Sequence, residues 1–190
     1  MIRFFGLLSA FVAGLLLVSP AFAQKTADEP KKPDVIFVPT PQVVVDKMLE
    51  LAEVDEDDVV YDLGCGNGII VVSAAKRGAK AIGFDVDSRR IAESRENIKK
   101  NNVDDRASVK QQDIFTLDLS EANVVTLYLL PSLNVKLIPQ LEKLKPGSKI
   151  VSHDFDMKGV KPKKVVTVKG PVRDHTVYLW ETPLEKEDVN

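Results

Sequence analysis

The residues with the plainest chemical purpose are Asp62, Gly64, Gly66 and Gly68, at alternate positions in the run Asp62-Leu63-Gly64-Cys65-Gly66-Asn67-Gly68. Glycine has no Cβ and tolerates positive φ, so a glycine turn lets main-chain amides come close to a bound ligand. Val59-Val60-Tyr61 leads into the run and Ile69-Ile70-Val71-Val72 leads out. That pattern predicts a buried strand, a tight turn and a helix. A dinucleotide fingerprint, G-x-G-x-x-G, would need glycine where Ile69 stands. The spacing therefore points to a nucleotide-like ligand other than a dinucleotide. Asp62, at the strand tip, is placed to accept a hydrogen bond from a ligand ammonium, directly or through water. A plain strand-to-helix turn is the competing reading, and three alternating glycines behind an acid argue against it.

Asp85 closes the next strand, seventeen positions after Gly68. An acid about 20 residues past a glycine loop can take both hydroxyls of a ribose. The competing role, a charge favouring the start of the following helix, fits Asp87 better. His153 could act as a general base, and Asp154 and Asp156 could attract a cationic substrate; a structural or solvated role competes and is favoured. With His153, His175 and Cys65 alone, metal-ligand spacing is absent, so no metal is expected. A serine nucleophile elbow would need Ser where Gly66 stands.

These residues need a scaffold of strand ends. Thr40-Pro41 predicts a helix start, with Thr40 as N-cap and Pro41 in the first helical position. Val44, Met48 and Leu51, beside Val45 and Ala52, form its apolar face. Val59 to Leu63 is the first strand, apolar as a strand covered on both faces should be. A helix runs from Asn67 or Gly68 to about Arg77 and stops at Gly78. Ala81 to Asp85 is the second strand. Ser88 opens a polar helix, Arg89 to about Lys100, with Ile91, Ser94, Arg95 and Ile98 on its inner side. Ala107 to Gln112 is a third strand, polar enough for a sheet edge. Asn123 to Leu130 is the fourth; it stops at Pro131, and Ser132 is expected to cap a helix to about Leu144. Lys149 to His153 is the fifth. Lys164 to Val168 and Thr176 to Trp180 flank Gly170-Pro171-Val172-Arg173-Asp174 as a hairpin. The prediction is an α/β, Rossmann-like fold: a seven-stranded, mostly parallel sheet with a C-terminal antiparallel hairpin. A nucleotide-type ligand then lies outside the carboxyl ends of the strands, at the switch point.

Lys and Arg number 26 against 28 Asp and Glu, a net charge of −2, which argues against nucleic acid held on a broad basic surface. Cys65 is the single cysteine, so no internal disulfide forms. Arg3 is the only charge before Lys25, Phe4 to Val18 is almost wholly apolar, and Ala21-Phe22-Ala23 follows. Residues 1–23 thus read as a signal peptide cleaved after Ala23, or as an uncleaved membrane anchor. Residues 24–34 read as a flexible linker and 35–183 as one domain. The location expected is outside the cytoplasm, or on a membrane through a retained N-terminus.

The D-x-G-x-G-x-G run resembles motif I of the class I S-adenosylmethionine-dependent methyltransferases. Phe37-Val38-Pro39-Thr40-Pro41 precedes it, and Tyr128-Leu129-Leu130-Pro131-Ser132 and Val151-Ser152-His153-Asp154-Phe155 follow. Together these segments resemble the small lysine methyltransferase family that includes the mitochondrial enzymes acting on the ATP synthase c-subunit and on the adenine nucleotide translocase. The resemblance covers roughly residues 35 to 181. It implies S-adenosylmethionine as cofactor and in-line methyl transfer to a protein lysine. The three glycines would hold the cofactor's amino-acid part with Asp62, and Asp85 its ribose. The resemblance also implies that Asp113 accepts from the adenine amino group, that Ile114 gives a backbone donor, and that Thr40 lies near the cofactor, in a lid from Val38 to Thr40. Tyr128 and Ser132 are the candidates for orienting the amine, with core and helix-cap roles as equal competitors. A lysine must first lose its proton, which desolvation favours.

The Asn/Asp-Pro-Pro-aromatic motif of enzymes that methylate amide or exocyclic amine nitrogens is absent at Tyr128 to Ser132, which disfavours a nucleic-acid base or glutamine. One departure from the resembled family falls at Gly159-Val160-Lys161-Pro162, which lacks an aromatic before its proline. The resemblance further implies membrane-associated substrates, which would suit an anchored N-terminus; export would instead separate the domain from cytoplasmic cofactor. Two rival readings stay open: a methyltransferase for a small molecule, and a cofactor-binding or interaction domain without catalysis.

Overall fold

Long apolar runs and polar alternation sort the strands into centre and edge. The computed structural model describes residues 37–187. The expected leader, the linker and residues 35 and 36 lie outside the described residues. The strands are β1 (Val59–Leu63), β2 (Lys80–Asp85), β3 (Ala107–Gln111), β4 (Val124–Leu127), β5 (Lys149–His153), β6 (Lys164–Lys169) and β7 (Asp174–Glu181). They form one sheet in the order β3-β2-β1-β4-β5-β7-β6. The pairs from β3 to β5 are parallel, and β7 runs antiparallel between β5 and β6. The predicted Rossmann-like sheet with its closing hairpin is the one observed. β1, β4 and β5 are central and buried almost throughout, whereas β3 and β6 alternate or expose most positions, as edges should.

Successive side chains on a strand point to opposite faces. Val60, Val124 and Val151 face one core layer, shared with the helices α1 (Gln42–Leu51), α2 (Ile69–Lys76) and α3 (Ser88–Lys100). Leu63, Val125, Leu127 and Ile150 face the other, shared with α4 (Pro131–Leu141) and Trp180. None of the helices among the described residues is long and apolar enough to cross a membrane.

Four local expectations need correction. Thr40 does not cap α1; the helix begins at Gln42, Pro41 takes the cap position, and the Thr40 hydroxyl turns to His153 at 3.2 Å. Ser132 does not cap α4 either: Pro131 is the first helical residue and Leu130 precedes it, so Ser132 sits exposed in the first turn. Each proline already supplies a preset φ at the helix start. β4 ends at Leu127, and 128–130 leave the sheet as an extended segment over the carboxyl edge. Arg95 points to solvent, while Ile91, Ser94 and Ile98 are buried as expected.

Leu127 has no exposed surface and lies in the central layer. Leu127→Ala should lower the unfolding free energy by about 2–5 kcal/mol in a urea titration. Val172→Ser, at a hairpin position that is 95% exposed, should stay within about 0.5 kcal/mol. Equal losses at both sites would contradict this burial pattern.

Candidate active site

The sheet order reverses between β1 and β4, and a cleft of about 560 Å³ opens at the carboxyl ends there. Its size suits a small-molecule ligand. Asp62, Gly64, Asp85, Asp113, Ile114, Thr40 and Tyr128 all line it. Gly66 and Gly68 stand just behind the lining, and Ser132 lies outside it.

Gly66 and Gly68 are in left-handed conformations, φ +52° and +76°. A Cβ on Gly66 would run into the ring of Phe37, and one on Gly68 would lie 2.9 Å from the Ser94 hydroxyl. The glycine turn is therefore thin on two sides, so that the segment before α1 can lie over it and α3 can pack under it. Ser94 donates to the carbonyl of Gly66 at 2.7 Å, and Arg90 stacks its guanidinium 4.3 Å from the centre of the Phe37 ring. Sequence reasoning placed Ser94 on the inner side of its helix but could not show what it touches.

Asp85 accepts from two backbone amides: Gly66 at 3.0 Å and Asp87 at 2.9 Å. Asp87 is the true cap of α3, accepting from the Arg89 amide at 2.9 Å. Asp113 accepts from the Phe115 amide at 3.1 Å, and Gln140 of α4 donates to the carbonyls of Ile114 and Leu117, fixing that loop.

Asp62 is only 3% exposed and pairs in register with Thr126 of β4, whose hydroxyl donates to it at 2.6 Å. Burial pushes its carboxyl up to about 7, with the charge of Asp85 adding and the Thr126 hydrogen bond opposing. A buried acid in that state favours a cationic ligand group beside it. Burial also pushes the Cys65 thiol well up, so this thiol is no nucleophile at neutral pH.

At the other end of the cleft, Tyr128 stacks on His153 with ring centres 3.9 Å apart and on Phe155 at 6.0 Å. Asn134 of α4 donates to the carbonyls of Phe155 and Asp156, holding that wall. Behind it lies a polar cluster that the sequence did not reveal. His153 Nδ1 is 3.2 Å from the Thr40 hydroxyl, and its Nε2 is 2.8 Å from His175 Nδ1 and 3.2 Å from Asp154 Oδ2. Arg173 pairs with both carboxylate oxygens of Asp154. Burial works against ionised Asp154, but the Arg173 and Thr176 hydrogen bonds and the neighbouring charges hold its carboxyl down to about 2. Burial also holds His153 down to about 4, partly opposed by Asp154 and reinforced by His175 and Arg173. The nearest ligating atoms of His153, Asp154 and His175 lie within 4.8 Å of one another. A metal ion there would face the Arg173 guanidinium that already neutralises Asp154, so the cluster reads as a hydrogen-bonded one.

The model of the ANTKMT methyltransferase domain matches residues 62–164, from the tip of β1 to the first residue of β6. The chain belongs to the ANTKMT methyltransferase family. A protein-lysine N-methyltransferase of Saccharolobus islandicus (strain REY15A) is 50% identical over 151 residues, 78% of this chain and 94% of that protein. A crystal structure described as an RNA methyltransferase from Salinibacter ruber in complex with S-adenosyl-L-homocysteine superposes with a TM-score of 0.73 at 49% identity. It covers 80% of this chain and 97% of its own. A ribosomal protein L11 methyltransferase of Desulfitobacterium hafniense (strain DSM 10664 / DCB-2) is 36% identical over 91 residues, 48% of this chain and 29% of that protein. These relatives share methyl transfer and differ in acceptor. This chain is thus a methyltransferase of the ANTKMT family, and the cleft is its candidate active site.

Asp62 gives a test that needs no ligand. Its folded-state pKa of about 7 lies above the ordinary value of 3.8, so protons bind the folded state more tightly than the unfolded one. Relative to a side chain that cannot ionise, it costs nothing below about pH 4; the cost grows between pH 4 and 7 and reaches about 4 kcal/mol above pH 7. Asp62→Asn keeps an acceptor for Thr126 and removes the ionisation. The variant should melt close to wild type at pH 4.5 and clearly above it at pH 8, in paired thermal scans of the ligand-free proteins. Parallel pH profiles would show that Asp62 ionises freely.

Proposed function

We propose that the protein is an S-adenosylmethionine-dependent protein-lysine N-methyltransferase. The observation that carries the acceptor is the 50% identity held across 94% of a protein-lysine N-methyltransferase. The cleft fits the cofactor on its own chemistry. A buried acid, Asp62, is poised for the ammonium; Asp85, held by two amides, stands where a ribose would lie; Asp113 and Ile114 border the end suited to adenine. When bound, S-adenosylmethionine supplies an electrophilic methyl group. The protein's part is alignment and exclusion of water. Thr40, Tyr128 and Phe155 border the opposite end, where an amine acceptor would enter. Of the two residues suggested for orienting that amine, Tyr128 keeps the role in this proposal and Ser132 does not.

An RNA acceptor is the second reading, favoured by the Salinibacter ruber relative. The net charge of −2 and the lack of an amide or acid side chain from Tyr128 to Ser132 weigh against it. We further propose that residues 1–23 bring the domain to a membrane, as a cleaved export signal or a retained anchor, and that the substrate is membrane-associated. The support is the apolar run of that segment and the resemblance to enzymes with membrane-protein substrates.

The purified protein should bind S-adenosylmethionine in the micromolar range by titration calorimetry, and Asp85→Ala should weaken this at least about tenfold. With methyl-labelled cofactor and a membrane extract, label should enter a protein band, resist ribonuclease and appear on lysine after hydrolysis. Label lost to ribonuclease supports the RNA acceptor. Label confined to small molecules overturns the protein substrate.

A further inference from the structure

Lysine methylation has a proton problem. The ammonium has no lone pair, and its ordinary pKa of about 10.4 keeps it protonated at neutral pH. A cleft that takes lysine needs somewhere for that proton to go. The polar cluster behind Tyr128 runs from Thr40 at the wall of the cleft to His175 beside Gly170 of the hairpin turn.

Resting on the lysine reading above, we propose that Thr40, His153 and His175 form a proton-exit chain that strips the substrate ammonium, with Asp154 holding the transient charge. Thr40 is the member at the cleft wall, only 5% exposed. His153 is fully buried and bridges Thr40 to His175. His175 retains 6% exposure beside Gly170 of the hairpin turn. A Cβ on Gly170 would stand 2.6 Å from His175 Nε2, so glycine keeps that outlet clear.

The distances allow two wirings; the resting one puts its hydrogen on the nitrogen nearer Asp154 Oδ2, His153 Nε2 at 3.2 Å rather than His175 Nδ1 at 3.4 Å. A hydrogen on His153 Nε2 has two acceptors, His175 Nδ1 at 2.8 Å and Asp154 Oδ2 at 3.2 Å. A bare nitrogen there would set its lone pair against the carboxylate. In that wiring Nδ1 is bare and accepts the Thr40 hydroxyl proton, which leaves the Thr40 oxygen free to accept. The groups facing His153 are Thr40 before α1, Tyr128 after β4, Asp154 after β5, and Arg173 and His175 of the hairpin. With the ring held down to about 4 by burial, it rests neutral and does not store a proton: Nδ1 gains one only as Nε2 gives one up.

One passage balances as follows. An N–H bond of the ammonium breaks; its proton goes to Thr40 Oγ1, and the electron pair stays on nitrogen as the lone pair that methylation uses. The hydroxyl's own proton moves to His153 Nδ1. The proton on His153 Nε2 moves to His175 Nδ1, and His175 releases its Nε2 proton to water. Asp154 stays ionised throughout, as its Arg173 pair requires. The cluster ends in the other tautomeric wiring that the same distances allow, with His175 donating to His153 and His153 to Thr40.

The test has two arms. In the cofactor-free protein, imidazole 15N NMR should show His153 neutral from pH 5.5 to 8 with hydrogen on Nε2; hydrogen on Nδ1 overturns the proposal. On a lysine-bearing protein acceptor, His153→Gln and Thr40→Val should each lower kcat about a hundredfold at pH 7. Cofactor affinity of His153→Gln, whose side chain lies outside the cleft lining, should stay within about threefold of wild type. The deficit should narrow steadily towards pH 9.5, where the amine sheds its own proton, and Thr40→Ser should restore most of the rate. A deficit of the same size at every pH, or wild-type kcat in both variants, overturns the chain. Wild-type protein that methylates RNA and no lysine overturns the function reading instead, and the proton chain loses its substrate with it.

Discussion

The carboxylate of Asp85 lies between two backbone amides, Gly66 of the turn after β1 and Asp87 at the head of α3. These two loops form the floor of the cleft, and neither has regular structure to hold it. A charge-assisted hydrogen bond to an amide is stronger than a neutral one, and here one side chain makes two. That side chain holds the glycine turn together with the Phe84 carbonyl, which accepts from the Gly64 and Cys65 amides. Phe37 can then rest on Gly66, and Ser94 can reach the Gly66 carbonyl from below. A residue read from sequence as a ligand for ribose thus has a prior duty to the protein itself. Both duties suit one group, since a carboxylate has more lone pairs than the two amides consume.

Much of this was legible in the chain. β1 and β5 begin and end where their residues predict, because each has an apolar core, Val59-Val60-Tyr61 or Ile150-Val151, set between turns. The acids at the ends of β1, β2 and β3 converge on one cleft because parallel strands must present their carboxyl ends together. The errors share a cause. Thr40 and Ser132 are good capping residues by type, but a proline beside each already starts the helix. Thr40 then spends its hydroxyl on His153, 113 positions away. Local preference cannot foresee a distant partner.

The polar cluster was illegible for the same reason. His153 and His175 stand 22 positions apart, and only the antiparallel register of β5 and β7, with His153 opposite Val177, brings their rings together. Register depends on the whole hairpin and on the core beneath it. The sequence supplied two histidines and an acid without the pairing. The structure supplies a dense set of buried hydrogen bonds whose far end is neutralised by Arg173.

The place of β7 has a consequence for how the protein comes into being. It is the last strand among the described residues, yet it lies between β5 and β6 rather than at the rim. Until it is in place, β5 has an open edge and β6 has no partner. A chain still growing on the ribosome can assemble the parallel half of its sheet but cannot close the antiparallel half. His175 arrives with that strand. The cleft and its glycine turn can therefore take shape first, while the wall behind Tyr128 is completed only once β7 has followed.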